Sequence, residues 1–474
     1  MKTYRLPAYL LPILLLFLFS SCGTETTPES GEKPGKPNIV YILADDLGYG
    51  DIEPYGQETI KTPYLRRLAE DGMRFTQHYA GSTVCAPSRC VLMTGKHTGH
   101  ARIRGNGVVP LLPEDLTIGE MLKDAGYATA VIGKWGLGEA GSTGIPNRQG
   151  FDYFYGYLNQ IRAHNSYPDY LWENETKDSL DNVVTIIPET YAKGVGGIAL
   201  EKNTFAQDVF MDKALDFIRA HRDTSFFLYL PFTAPHANNE SHYYDEVGIE
   251  VPKLGVYAQE DWPEAQKAHA ALISYLDIYI GQIIEAIQNA GIDENTIVIF
   301  SSDNGPHEEG GAKVDFFDSN GPLRGTKRDL YEGGIRVPMI VRWPGKVAPG
   351  TESDHLSTFW DVMPTLAEIA GTAIPEETDG ISFLPTLLGD EQPEHDHVYW
   401  EFYEQDGKKA VRWGDWKLVE LGLKPGREPD TLLYDLSADL GETRDLSAEK
   451  PELVREGFAK MKASHTPSTT FSFE

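Results

Sequence analysis

Cysteine is scarce in this chain: three among 474 residues, at Cys22, Cys85 and Cys90. That excludes a disulfide framework, so the fold must be held by its own core. Positive charge is scarce too. The 42 Lys and Arg stand against 71 Asp and Glu, a net charge of −29. A surface that acidic does not displace counterions from nucleic acid, and no nucleic-acid partner is expected. The apolar run at residues 10–19 is too short to span a bilayer, which takes about 20 residues. Beyond one short tether there is neither an internal repeat nor a low-complexity block.

What is present at the N-terminus has its own logic. Lys2 and Arg5 precede the apolar run, and Ser20-Ser21-Cys22 closes it. A positive region, an apolar region and small residues at a cleavage site make a secretory signal over residues 1–21. The cysteine directly after them resembles a bacterial lipoprotein signal, cut before Cys22 and lipidated there. The protein is then expected to be exported to the periplasm or outer membrane and to touch a membrane only through that lipid. Phe19 stands where such signals usually carry an aliphatic residue, and plain secretion with a chance cysteine is the alternative. Residues 22–36 carry no apolar side chain after Cys22 and read as a flexible tether.

From Pro37 the pattern changes. Residues 38–44 are a continuous apolar run, as in a parallel strand covered on both faces. Similar runs recur at 128–132, 226–230, 297–300 and 339–341, with helical patterns at 62–71, 117–125, 205–221 and 264–290. Alternating strands and helices predict an α/β fold with a large, mostly parallel central sheet flanked by helices. From about residue 355 a helix at 360–370 leads into short strands at 409–413, 416–420 and 432–435 and a final helix at 451–463. The length also asks for more than one core. We therefore expect a catalytic domain over 37–354 and a smaller C-terminal subdomain over 355–474, with an antiparallel sheet and a helix.

The strand ends carry polar chemistry: Asp45-Asp46 after the first run, Lys134 after the second, His236 after the third and Asp303-Asn304 after the fourth. In α/β sheets, sites form outside the carboxyl ends of the strands. Asp45, Asp46, Asp303 and Asn304 offer hard oxygen donors, which suit Ca²⁺ or Mg²⁺ better than zinc.

Residues 85–95 read CAPSRCVLMTG. This segment resembles the C-x-P-S-R-x-x-x-x-T-G signature of the type I sulfatases. The resemblance implies an alkaline-phosphatase-like fold and conversion of Cys85 to formylglycine, whose hydrate is the catalytic nucleophile. A formylglycine-generating maturation enzyme is then a required partner. It also implies one divalent ion, usually calcium, on Asp45, Asp46, Asp303, Asn304 and the residue-85 oxygen. Pro87 fits the first position of a helix after a Cys85-Ala86 turn, and Arg89, one turn on, can reach residue 85. Cys85 and Cys90 could pair, but that would block the nucleophile, so Cys90 is read as a core residue.

Other segments agree. Gly133-Lys134-Trp135 resembles the second sulfatase signature, with Lys134 binding sulfate. Pro235-His236 resembles the segment whose histidine binds sulfate and can protonate the leaving oxygen. Lys327 matches the family's second lysine. One position departs: the family commonly has His after this Trp, where this chain has Gly136. That puts the release step in doubt, and His164 is a candidate to supply the imidazole. His164, His307 and Arg324 are expected as substrate contacts.

A sulfate ester is an anion, so an acidic protein needs a local basic cluster to bind it. Arg89, Lys134, Lys327 and His236 would provide one, with His236 or Lys327 as general acid and Asp303 as proton acceptor. The implied substrate is a sulfated oligosaccharide or polysaccharide, with galactose or N-acetylgalactosamine 4-O-sulfate expected. A phosphate or phosphonate monoester hydrolase of the same superfamily and a non-catalytic sulfated-glycan binder are the alternatives.

Overall fold

The computed structural model describes residues 1–3, 35–187, 196–244 and 247–473. The expected signal peptide, Cys22 and most of the tether lie outside the described residues. Lys36–Glu474 forms one compact unit.

In chain order the strands are β1 (Asn38–Ala44), β2 (Met73–Tyr79), β3 (Ala128–Lys134), β4 (Tyr153–Tyr157), β5 (Tyr170–Glu173), β6 (Thr176–Ser179), β7 (Val183–Ile186), β8 (Gly197–Glu201), β9 (Phe226–Pro231), β10 (Thr296–Ser302), β11 (Arg336–Arg342), β12 (Thr351–Ser353), β13 (Ser357–Thr358), β14 (Val398–Phe402), β15 (Lys408–Trp413), β16 (Trp416–Leu421) and β17 (Asp430–Asp435). The helices are α1 (Pro63–Glu70), α2 (Cys85–Thr94), α3 (Ile118–Asp124), α4 (Ala206–Ala220), α5 (Glu264–Asn289), α6 (Val314–Phe317), α7 (Glu332–Ile335), α8 (Val362–Ala370), α9 (Leu384–Leu388) and α10 (Pro451–Ser464).

The large sheet runs β12-β2-β11-β10-β1-β9-β3-β4-β5-β6, with β13 also on β2. Its centre, β10 to β4, is parallel. Its flanks are not: β11 is antiparallel to β10 and to β2, and β5 to β4 and β6. The sheet is therefore mixed, and the run at 339–341, expected among parallel strands, returns in the opposite sense. An apolar run records burial on both faces but not direction, which the intervening connection sets.

Alternation along β1 divides the core. Ile39, Tyr41 and Leu43 face one side with Val91, Leu122 and Leu366 of α2, α3 and α8. Val40, Ile42 and Ala44 face the other with Leu65, Phe210 and Leu276 of α1, α4 and α5. Each fully buried Leu or Ile contributes roughly 1.5–3 kcal/mol, so two such layers replace the missing disulfides. The helix α3 starts on a capping box, Thr117 with Glu120. The helix α5 is long and apolar enough to cross a membrane, but Leu272, Leu276, Ile280 and Ile283 on one face are buried in the core.

Strands β14-β15-β16-β17 form a separate antiparallel sheet. Helix α10 packs on it through Met461, beside Leu418 and Trp413. Its other face, with Trp400, Ala410 and Val419, joins the core of the large sheet.

Candidate active site

Because β10, β1, β9 and β3 are neighbours and parallel, their carboxyl ends share one edge. Asp303-Asn304, Asp45-Asp46, His236 and Lys134 sit there in that spatial order. Gly133 lets the edge close up: its φ is +137°, and a Cβ on it would lie 2.1 Å from the Pro231 carbonyl oxygen.

The helix α2 enters the same edge. It begins at Cys85, two residues before the expected start, after Val84 as N-cap. Pro87 is thus the third helical residue, where its missing N–H costs nothing because the first four helical N–H groups have no intrahelical partner. Cys85 sits at the positive end of the helix, 3% exposed. Its thiol donates to Asp45 Oδ1 at 3.3 Å. Burial, and then the Asp45 carboxylate, push that thiol well above its ordinary pKa. An unmodified Cys85 is therefore a poor thiolate nucleophile. Burial likewise pushes Cys90 up to about 12, in keeping with a core residue.

Each carboxylate has a cation. Lys134 Nζ donates to Asp45 Oδ2 at 2.6 Å, and Lys327 Nζ to Asp46 Oδ2 at 2.7 Å. Arg89 donates through Nε and Nη2 to Asp303 Oδ2, at 3.0 and 2.8 Å, and through Nη1 to the Lys134 carbonyl at 2.6 Å. Burial alone would raise Asp45 and Asp46, but Lys134 beside the first and Lys327 beside the second offset it and hold both low. Asp303 is different: burial and the neighbouring Asp45 push it up to about 7. Asn304 Nδ2 donates to Asp46 Oδ1 at 2.8 Å, while its buried Oδ1 has no hydrogen-bond partner. An orphaned amide oxygen among three carboxylates is what a hard cation would satisfy.

His236 Nδ1 donates to the Ala237 carbonyl at 2.6 Å, which leaves Nε2 to accept from Lys327 Nζ at 3.2 Å. Burial, then Lys327, hold its pKa well below the ordinary value, so the ring is neutral. His164 stacks on it with centroids 4.8 Å apart and is tied by Nδ1 to Glu240 Oε2 at 3.1 Å. These groups open on a cavity of about 410 Å³ lined by Cys85, Lys134, His164, His236 and Lys327.

Two expected substrate contacts are not brought to this cavity. His307 lies behind His236 with both ring nitrogens on backbone: Glu309 N–H donates to Nδ1 at 3.0 Å and Nε2 meets the Pro235 carbonyl at 3.2 Å. Arg324 lies over the Tyr331 ring at 4.0 Å and donates to the Glu442 carbonyl at 2.6 Å. The sequence reading also missed groups. Glu309 pairs with Lys327 at 3.0 Å and Arg328 at 2.7 Å, and Asn106, Gln160, Asn239, Arg328 and Glu404 line the wall. Only the His307-Glu308-Glu309 run, two residues past Asp303-Asn304-Gly305, carried a signal for Glu309. The others stand in loops or, for Asn239, at the start of a short 3-10 helix, without a sequence pattern.

Comparison with known proteins agrees with this geometry. A family described as "Sulfatase" matches residues 37–372, and one described as "N-sulphoglucosamine sulphohydrolase, C-terminal" matches 325–462. An N-acetylgalactosamine-6-O-sulfatase of Bacteroides thetaiotaomicron is 32% identical, over 94% of this chain and 97% of its own. Human arylsulfatase A is 32% identical, over 86% and 83%. A solved 6S-sulf protein of glycosaminoglycan metabolism from Bacteroides thetaiotaomicron superposes with a TM-score of 0.74 at 28% identity, over 90% and 99%. With a strand-end carboxylate edge, a buried cysteine at a helix start and two lysines meeting at one site, and with sulfatase relatives along nearly the whole chain, the protein belongs to the type I sulfatase family and is a sulfatase.

Proposed function

We propose that this chain is an exported enzyme that removes the 6-O-sulfate of N-acetylgalactosamine units, with residue 85 in its formylglycine form and one Ca²⁺ bound (Mg²⁺ suits the same oxygens). The expected 4-O position gives way to 6-O because the bacterial relative above and a dog relative 30% identical to this chain are both named for the 6-sulfate.

Asp45, Asp46, Asp303 and Asn304 would hold the ion, and the unpartnered Asn304 Oδ1 supports that fit. When bound, the cation supplies Lewis acidity toward the sulfate oxygens. The aldehyde hydrate at residue 85 supplies the nucleophilic hydroxyl. The remaining work falls to fixed side chains. Lys134 and Lys327 neutralise the incoming sulfate, and Arg89 holds Asp303 and the start of α2 in register. Asp303 serves as proton acceptor. Lys327 Nζ lies 3.2 Å from His236 Nε2, so this pair shares a proton and delivers it to the leaving alcohol oxygen. His164, oriented by Glu240, contacts the sugar.

Residues 37–354 act as the catalytic domain, and residues 355–474 add Glu404 to its wall. Cys22 is the lipid anchor. Both ring nitrogens of the adjacent His307 are taken by backbone, which weighs against a phosphate hydrolase with a second metal on Asp46, His307 and Glu309.

The observation that carries the reading is the convergence of Arg89, Lys134 and Lys327 on three buried carboxylates beside Cys85. The test is sulfate release by protein produced with a formylglycine-generating enzyme. N-acetylgalactosamine 6-sulfate should be cleaved faster than the 4-sulfate, and an aryl sulfate faster than the aryl phosphate. Preference for the phosphate, or no sulfate release once the aldehyde is verified, sinks it.

A further inference from the structure

A second cavity, of about 520 Å³, adjoins the reactive one. Asn106, Gln160 and Ile161 line both. Its size lies within the roughly 300–1,000 Å³ of small-molecule sites. Gly136 is part of its wall. The φ of +80° at Gly136 is in the left-handed region that favours glycine. A Cβ there would meet only Gln160, at 3.6 Å from its Cβ and 3.9 Å from its Oε1. The space that the histidine common in the family would enter therefore stays open in this chain.

The chemistry of the two cavities differs. The reactive one is lined by Lys134, Lys327 and Arg328, whereas no lysine or arginine lines the second. Arg148, which donates to the carbonyl of the lining residue Ser142 at 3.5 Å, is paired with Glu175 at 3.4 Å. The second cavity instead offers apolar surface from Val109, Pro110 and Ile161 and polar groups from Glu139, Asn159 and Gln160. Asn159 Nδ2 donates to Glu139 Oε1 at 2.6 Å, and Gln160 Oε1 is buried without a partner.

We propose that this second cavity is a subsite for the sugar unit next to the sulfated one, and that it selects an uncharged hexose or N-acetylhexosamine over a uronic acid. The proposal rests on the carbohydrate-sulfatase reading above. Gln160 Oε1, which has no partner, accepts from a sugar hydroxyl, whereas Asn159 Oδ1 is held by the Ile161 and Arg162 N–H groups; the apolar residues cover a ring face. A carboxylate or second sulfate would lose hydration beside Glu139 with no lining cation to replace it.

The experiment compares matured wild type on three substrates: N-acetylgalactosamine 6-sulfate alone, joined to galactose, and joined to glucuronic acid. The galactose disaccharide should show kcat/KM at least about tenfold above the monosaccharide, and the glucuronate disaccharide no gain. Glu139→Gln, which keeps an oxygen for Asn159, should narrow the galactose-to-glucuronate preference by about fivefold, as expected from removing a like charge. Equal rates on all three in wild type, or preference for glucuronate, would overturn this inference alone. Release of sulfate from none of them, with an aryl sulfate still cleaved, would remove the substrate reading and this inference with it.

Discussion

Arg89 grips Asp303 by one oxygen: Nε and Nη2 both donate to Oδ2, at 3.0 and 2.8 Å, while Oδ1 accepts the Asp46 amide at 3.0 Å. A helix and two strand tips are thereby joined by a buried charge pair. Lysine cannot reproduce that fork. Arg89→Lys should lower kcat/KM by about 10²-fold or more, with an unchanged circular dichroism spectrum. Arg89→Ala, which strands a buried charge, should also cost about 3–5 kcal/mol of stability in urea titration.

The peptide containing residue 85 should be lighter than its thiol form by about 18 Da after expression with the maturation enzyme, as an aldehyde replaces a thiol. Cys85→Ala should abolish sulfate release and still bind the sulfated sugar through Lys134 and Lys327. Turnover by Cys85→Ala comparable to wild type would remove residue 85 from the chemistry.

Calcium should raise the melting temperature of the wild type. At a concentration of about 100 Kd the gain corresponds to about 2.7 kcal/mol. Asn304→Leu removes the orphaned oxygen without adding a charge, and that calcium-dependent increment should largely vanish. The readout is a melting scan with and without chelator.

His78 is fully buried in β2, with Nδ1 on Ser357 Oγ at 2.9 Å and Nε2 unpartnered. Burial lowers its pKa to about 3. The folded state therefore keeps this ring neutral while the unfolded chain takes up a proton below about 6.5. Its stabilising contribution is complete above that pH and is lost as pH falls toward 3. Between pH 6.5 and 5 the wild type should lose about 1.6 kcal/mol more than His78→Gln does, measured by urea unfolding. Parallel curves would show that His78 is not the titrating group.

Lys417 has no exposed side-chain surface and bridges Glu332 at 2.8 Å and Glu442 at 3.0 Å. It thus ties β16 of the small sheet to α7, which leads directly into β11 of the large one. Lys417→Met should destabilise by about 3–5 kcal/mol because two carboxylates lose their cation. The KM of the surviving folded enzyme should hold. A larger effect on KM than on stability would place this cluster in the site.

Much of the fold was legible. The apolar runs marked β1, β3, β9 and β10 within two residues at each end, because a strand buried on both faces has little freedom in composition. The helical pattern at 117–125 marked α3, which starts in the structure on the Thr117–Glu120 capping box. By contrast β2 and β4 were not found, since Arg74, Gln77 and Gly156 interrupt their patterns. The direction of β11 was also hidden, because periodicity carries no sign.

By itself the sequence determined the candidate reactive groups: a cysteine at a helix start, carboxylates at strand ends, two lysines and a histidine, each set by short-range context. Only the tertiary structure decided who meets whom. Lys327 reaches Asp46 across 281 positions, Glu309 joins it, and Arg324 turns away toward Tyr331. Such pairings depend on where long loops return over the sheet, and loop paths are set by the packing of distant elements rather than by local residue preference. The open space beside Gly136 is of the same kind: a missing side chain is visible in the sequence, but the cavity it leaves exists only once Gln160 and the 106–110 loop close around it.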